Sequence, residues 1–243
     1  MPKRVVIDRR FRGPPDSGQG GYACGLLAEW AEGTCAAVWL RLPPPLERPL
    51  DVRRGNDGTV ELRDGDRLVA EGAPAELVLD VPEPVSAEQA KQASAECLWV
   101  DRHPFPGCFG CGPERSQDEA VAIAMGAVAG RDLFAAPWTP LAEFADGSGA
   151  VAARFVWAAL DCPTAAPAVP PDAPACVLGR LTGSLIAPVR PGRLHSVVAW
   201  PVGHDGRKHR GATAIYGPEG ELCACSEGLW IELRDPSAMG AKT

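Results

Sequence analysis

The chain has 243 residues, 46% of them hydrophobic and 23% charged, which is the make-up of an ordinary folded protein and excludes a wholly disordered one. A formal net charge of −7 argues against nucleic acid as a partner. No apolar run approaches the roughly 20 residues of a membrane-spanning helix, and the stretch from Met1 to Arg10 lacks an apolar core of signal-peptide length, so the expected location is the cytoplasm, with no membrane partner. The 27 glycines and 25 prolines predict many turns and few helices. Nine cysteines, an odd number, read in a reducing compartment as small buried hydrophobes, a metal site or reactive thiols, not as a disulfide framework.

The first pattern follows a Gly/Pro/Asp-rich approach, Arg12 to Gln19. From Gly20-Gly21 onward, Ala23, Leu26, Leu27 and Trp30 fall at helical spacing, predicting a helix to about Glu32 that opens through a glycine loop. Ala36 to Leu42 is an apolar run suited to a strand, and Pro43-Pro44-Pro45 breaks it. Leu50–Arg53, Thr59–Arg63 and Leu68–Glu71 then alternate, separated by the turn-forming Gly55–Gly58 and Asp64–Asp66. The polar Val81–Ala95 segment suits a linker or a short solvated helix.

The same order returns. Gly147 to Asp161 predicts a second helix after a glycine loop, ended by Pro163. Val177–Ala187 is strand-like and runs into Pro188 and Pro191. Leu194–Trp200, Gly211–Tyr216 and Leu222–Leu233 complete a second meander, with turns at Gly203–Gly206 and Gly217–Gly220. Helix, strand, proline break and three strands, present twice, imply an internal duplication. The halves are placed at 1–95, linker included, and 96–243.

A helix followed by an antiparallel sheet that wraps it, twice in one chain, resembles the double hotdog fold. Trp157-Ala158-Ala159-Leu160-Asp161-Cys162-Pro163 resembles the end of the central helix in actinobacterial-type hotdog thioesterase-like proteins. His103-Pro104-Phe105-Pro106-Gly107-Cys108-Phe109-Gly110-Cys111-Gly112-Pro113 before it and Leu178-Gly179-Arg180 after it are similar too. In the first half, Gly13-Pro14-Pro15 and Gly20-Gly21-Tyr22 resemble the loop that opens the hotdog helix. The resemblance implies an α+β fold with two central helices and hydrolysis of an acyl-CoA-type thioester at the seam between the halves, without a cofactor. A homodimer of such chains stays open as an assembly. The main rival that the resemblance allows is a non-catalytic acyl-thioester or lipid-binding protein and, further off, an acyl-CoA dehydratase.

Thioester hydrolysis needs donors for the developing oxyanion and a carboxylate to activate water or attack directly. Asp161 matches the helix acid of the resembled family, and Glu29 lies at a similar place in the first helix. The ordinary alternatives are a turn-forming residue before Pro163 for Asp161, and a solvated helix face for Glu29. Gly20 and Gly21 are candidate carbonyl-binding amides, because a missing Cβ admits close backbone approach. Thr182 and Ser184 share one strand face and could meet the substrate, or be ordinary strand polars. Arg190 belongs to a locally basic second half, with Arg193, Arg207, Lys208, His209 and Arg210, that could grip coenzyme A phosphates. Cys97, His103, Cys108 and Cys111 offer four metal-ligand types in one short segment, but only one CxxC pair, so no metal is assigned. No His lies in or beside either predicted helix, which counts against a dehydratase.

Overall fold

The computed structural model describes residues 3–242. The first half runs β1 (Lys3–Val6), α1 (Gly20–Ala28), β2 (Cys35–Leu40), β3 (Pro49–Arg54), β4 (Val60–Asp64) and β5 (Arg67–Pro74). A short helix, α2 (Ala87–Ala95), follows. Then come β6 (Gly126–Ala127), β7 (Phe134–Trp138), α3 (Ala153–Ala165), β8 (Cys176–Leu185), β9 (His195–Asp205), β10 (Lys208–Tyr216) and β11 (Leu222–Glu232).

All eleven strands form one antiparallel sheet in the order β1-β3-β4-β5-β2-β8-β11-β10-β9-β7-β6. Reading outward from the β2–β8 pair, the two sides carry the same succession, with β8, β11, β10, β9 and β7 standing where β2, β5, β4, β3 and β1 stand. The helices occupy matching places, α1 between β1 and β2, α3 between β7 and β8. The join is a five-residue register from Cys35 opposite Ser184 to Trp39 opposite Arg180.

Both helices lie on one face of the sheet and pack on each other. Residues Gly21 to Leu27 of α1 are all buried, which fits a sequence apolar nearly all round. Gly21 and Gly25 let the backbones touch. A Cβ on Gly21 would stand 2.4 Å from both Asp161 Cβ and Trp157 O, and one on Gly25 would stand 2.5 Å from Arg154 Cα. Gly183 leaves room for the Trp157 ring in the same way, which marks the helix-facing side of β8. On the other face, α2 covers the second half: Ala90 and Ala93 pack with Ala135, Val198, Ala214 and Cys225, while the alternate residues Val197, Ala199, Ile215 and Ala224 belong to the helix-side core.

Most predicted strands appear within a residue or two of their expected bounds, and α2 is the short helix anticipated near Val81–Ala95. Three differences have physical causes. Each half has a strand before its helix that the pattern did not show: β1 has four residues, and β7 contains Pro137, features that weaken a strand signal. The second helix begins at Ala153, not Gly147. Gly147 to Ala150 instead form a turn, with Asp146 Oδ1 accepting from Ser148 N and the Ala145–Val151 bridge closing it. The helix also runs through Pro163 instead of ending there, since a proline so near the last turn removes only one i→i−4 bond. Asp161 is therefore one turn inside the helix. Likewise α1 stops at Ala28, and Glu29 is its C-cap.

Candidate active site

The first turn of α1 meets the last turn of α3, and the segment between Cys97 and Met125 crosses over both. Together with the start of β8 and the end of β11 they enclose a cavity of about 730 Å³. Its walls are largely apolar, with Trp99, Phe105, Met125, Val169, Leu178 and Trp230 among them. Gly20, Gln19, Asp161 and Cys162 form the wall nearest the helix seam.

Asp161 is 2% exposed. Its Oδ2 accepts two hydrogen bonds of 2.7 Å, one from the Gly21 amide and one from Gln19 Nε2. Its Oδ1 is buried and has no partner among the described residues. Among the described residues no cation pairs with it. Burial therefore dominates over the Gly21 bond and pushes the Asp161 carboxyl up to about 8.

Gln19 is the residue the sequence reading missed. It is the N-cap of α1, a place usually taken by Ser, Thr, Asp or Asn, and its Oε1 accepts from the Tyr22 amide at 2.6 Å. The other end of the same amide reaches Asp161 Oδ2, and lies 3.3 Å from Ala158 O and 3.6 Å from Cys162 Sγ. One side chain thus caps one helix and holds the acid of the other. Only its position directly before Gly20-Gly21 could have drawn attention to it.

The first-turn amides of α1 are mostly spent. Gly21 N–H goes to Asp161, Tyr22 N–H to Gln19 Oε1 and Ala23 N–H to Gln19 O, leaving Gly20 N–H without a partner among the described residues. The expectation of a paired Gly20/Gly21 carbonyl-binding site is corrected accordingly: Gly21 orients the acid, and Gly20 alone has a free amide on the cavity wall.

Glu29 lies at the opposite end of the helix pair. Its Oε1 accepts from Arg154 Nη1 at 3.0 Å and faces the Arg154 amide at 3.4 Å, at the start of α3. It does not reach Asp161 or the cavity. Thr182 and Ser184 are also elsewhere. They point away from Gly183 and its Trp157 contact, and Ser184 stands opposite Cys35 and Cys225 on the face away from α1 and α3. Arg190 is exposed beside the Val189–Val151 bond near the start of α3, far round from the Asp161 wall. Four cations border the cavity: Arg41, Arg115 and Lys242 pair with Glu71, Glu119 and Glu114, whereas Arg102 is exposed and has no ion pair among the described residues.

Of the predicted metal-ligand types, Cys108 and Cys111 come together, but the third sulfur is Cys162, not Cys97; all three Sγ atoms lie within 4.8 Å of one another. Cys111 and Cys162 hold the Cys108 thiol well below its ordinary range by hydrogen bonding to its sulfur. His103 Nε2 is 3.1 Å from Cys111 Sγ, and its Nδ1 accepts from the Phe105 amide at 3.0 Å. His103 shares the cavity with Asp161, which the sequence did not suggest, but both its ring nitrogens are engaged. All nine cysteines are free thiols, with Cys223 and Cys225 buried in β11.

The architecture is that of a hotdog fold, and comparison with solved structures bears this out. No protein-family profile matches the chain, and no curated protein matches it. Among solved structures, the chain is similar to a conserved protein of unknown function with a hot dog fold from Alicyclobacillus acidocaldarius (11% identity, 96% of this chain and 93% of that one, TM-score 0.56). It is also similar to the tesB protein of Mycobacterium avium subs paratuberculosis (13%, 94% and 91%, TM-score 0.58). A third likeness is to a candidate thioesterase II from Thermobifida fusca YX (16%, 95% and 92%, TM-score 0.58). At such identities the likeness is one of fold. No helix among the described residues is long and apolar enough to cross a membrane.

Proposed function

We propose that this chain hydrolyses a small-molecule thioester of the acyl-CoA class in the cavity between the two helices. The observation that carries the reading is Asp161: a carboxyl buried in the wall of an apolar cavity, held through one oxygen by two donors, with its other oxygen unpartnered. An unsatisfied buried polar atom costs about 1–3 kcal/mol, and such an atom beside a cavity is suited to engage a water or a substrate. The fold relatives named for thioesterase activity support the same reading.

In this reading the acyl chain lies along the apolar wall of Leu178, Val169 and Trp230. Its carbonyl oxygen accepts the Gly20 amide at the positive end of α1, where the helix dipole favours developing negative charge. Asp161 acts as general base toward water, or as nucleophile, with Gln19 and Gly21 fixing its orientation. Arg102 at the mouth offers the charge for a coenzyme A phosphate. The mirrored strand order is read as two fused hotdog units, the first in 1–95 and the second in 96–243, of which only the seam end bearing Asp161 is a working site.

Release of free thiol from a panel of acyl-CoAs by the wild-type protein tests the proposal. Turnover on at least one chain length, lost in Asp161→Asn, is the expected result. Acyl-CoA binding without thiol release on any chain length would instead establish a binding protein, which the apolar wall also suits.

A further inference from the structure

The three clustered thiols come from two distant parts of the chain and are held by well-fixed backbone. Cys108 and Cys111 sit in a tight turn, where the Gly112 amide donates to Cys108 O at 2.9 Å and the Phe109 amide to Arg12 O at 2.8 Å. Cys162 is on α3, next to Asp161. Between the pair, Gly110 is required by close approach: a Cβ there would stand 2.7 Å from Cys162 Sγ and 2.9 Å from Gln19 Nε2. The turn is therefore pressed against the helix at the place where the sulfurs meet.

The spacing of the sulfurs suits a shared ion better than a covalent link. Sulfurs bound tetrahedrally at about 2.3 Å from zinc stand about 3.8 Å apart, whereas a disulfide brings them to about 2.05 Å. Cys108 and Cys162 Sγ are 3.9 Å apart, and all three lie within 4.8 Å. The surroundings fit thiolates as well. His103 Nδ1 accepts the Phe105 amide, so the ring proton resides on Nε2, 3.1 Å from Cys111 Sγ. Gln19 Nε2 lies 3.6 Å from Cys162 Sγ. Both nitrogens are N–H donors aimed at sulfur, the outer-shell partners that orient metal-bound ligands. His103 is thus a supporting donor and not a fourth ligand.

We propose that Cys108, Cys111 and Cys162 form a zinc site that holds one ion through three thiolates, with the fourth position turned to the cavity that all three residues line. Each thiol gives its proton to solvent as the ion binds. A soft, sulfur-only donor set selects zinc over oxygen-preferring magnesium or calcium. The fourth ligand is a water or a donor atom of a molecule in the cavity. The ion would tie the crossing segment to α3 within one residue of Asp161, so the same cavity would hold a metal and the proposed acid.

The test is metal content of the full chain, purified without chelator from zinc-supplemented cells and read by elemental mass spectrometry. About one zinc per chain is expected. Cys108→Ser with Cys162→Ser should weaken zinc binding at least about tenfold, and Cys35→Ser with Cys225→Ser, on the far sheet face, should leave it unchanged. Zinc below about a tenth per chain in folded wild-type protein, or zinc retained undiminished by the Cys108/Cys162 double variant, would overturn the proposal. Should that double variant fail to fold, cobalt(II) chloride added to chelator-stripped wild-type protein decides the matter. A sulfur-to-cobalt charge-transfer band with intense tetrahedral visible bands is expected; weak octahedral absorption alone rejects the site. Neither readout depends on thioester turnover, so the site stands or falls apart from the hydrolase reading.

Discussion

The two ends of the α1–α3 pair occupy matching places in the mirrored strand order, yet they differ in chemistry. At one end Asp161 bonds to the first turn of α1. At the other Glu29 faces the first turn of α3. Each acid sits near the positive end of the partner helix, where an anion is favoured. Glu29 is answered by Arg154, with side chains 30% and 34% exposed, so water screens the pair and nothing is left unmet. Asp161 is 2% exposed and, among the described residues, has no paired cation and keeps one oxygen unpartnered. The same strand and helix order thus carries a screened ion pair at one end and a buried carboxyl facing a cavity at the other. What separates them is the crossing segment, which closes a cavity over Asp161, and the direct ion pair, which among the described residues Glu29 makes and Asp161 does not.

The strongest way to break this contrast is at Asp161. Asp161→Asn keeps the shape and leaves an oxygen for Gly21 and Gln19, so the fold should persist while kcat falls at least about 100-fold; undiminished turnover would erase the distinction between the ends. Next, Gly21→Ala drives a Cβ to 2.4 Å from Asp161 Cβ and Trp157 O, and urea denaturation should show a loss of about 1–3 kcal/mol or more. Gly147→Ala, with open space around it, is the control and should change stability by less than about 0.5 kcal/mol. Gln19→Ala removes a helix cap and one of the two donors to Asp161. About 1 kcal/mol of stability should go with it, together with a fall in kcat that exceeds any rise in KM. Smallest of all, Glu29→Gln should cost about 0.2–1 kcal/mol, less at high salt, and leave thiol release within about twofold.

The meander strands were legible because alternation and Gly/Asp turns are local signals. The strands before each helix were not: β1 and β7 are short edge-side pieces held by pairing with β3 and β9, a tertiary cause that no local pattern carries. Asp161 stood out as an acid in an apolar helix, and its burial agrees with that. Its partners did not stand out, since Gln19 is 142 residues away in sequence and gains its role only when the helices touch. The glycines were noticed for the wrong neighbour. Gly21 was expected to face a substrate and instead faces Asp161, because the same missing Cβ that would admit a ligand admits a helix. Cys162 likewise joins Cys108 only across the fold, whereas Cys97 looked nearer along the chain.

The mirrored sheet also bears on how copies of the chain meet. Strands β2 and β8 are consumed in the central join, and the outermost strands are β1, with four residues, and β6, with two. Edges so short offer little backbone for another molecule to extend. The β2–β8 join lies within one chain, so these two strands leave no free backbone edge to a second copy.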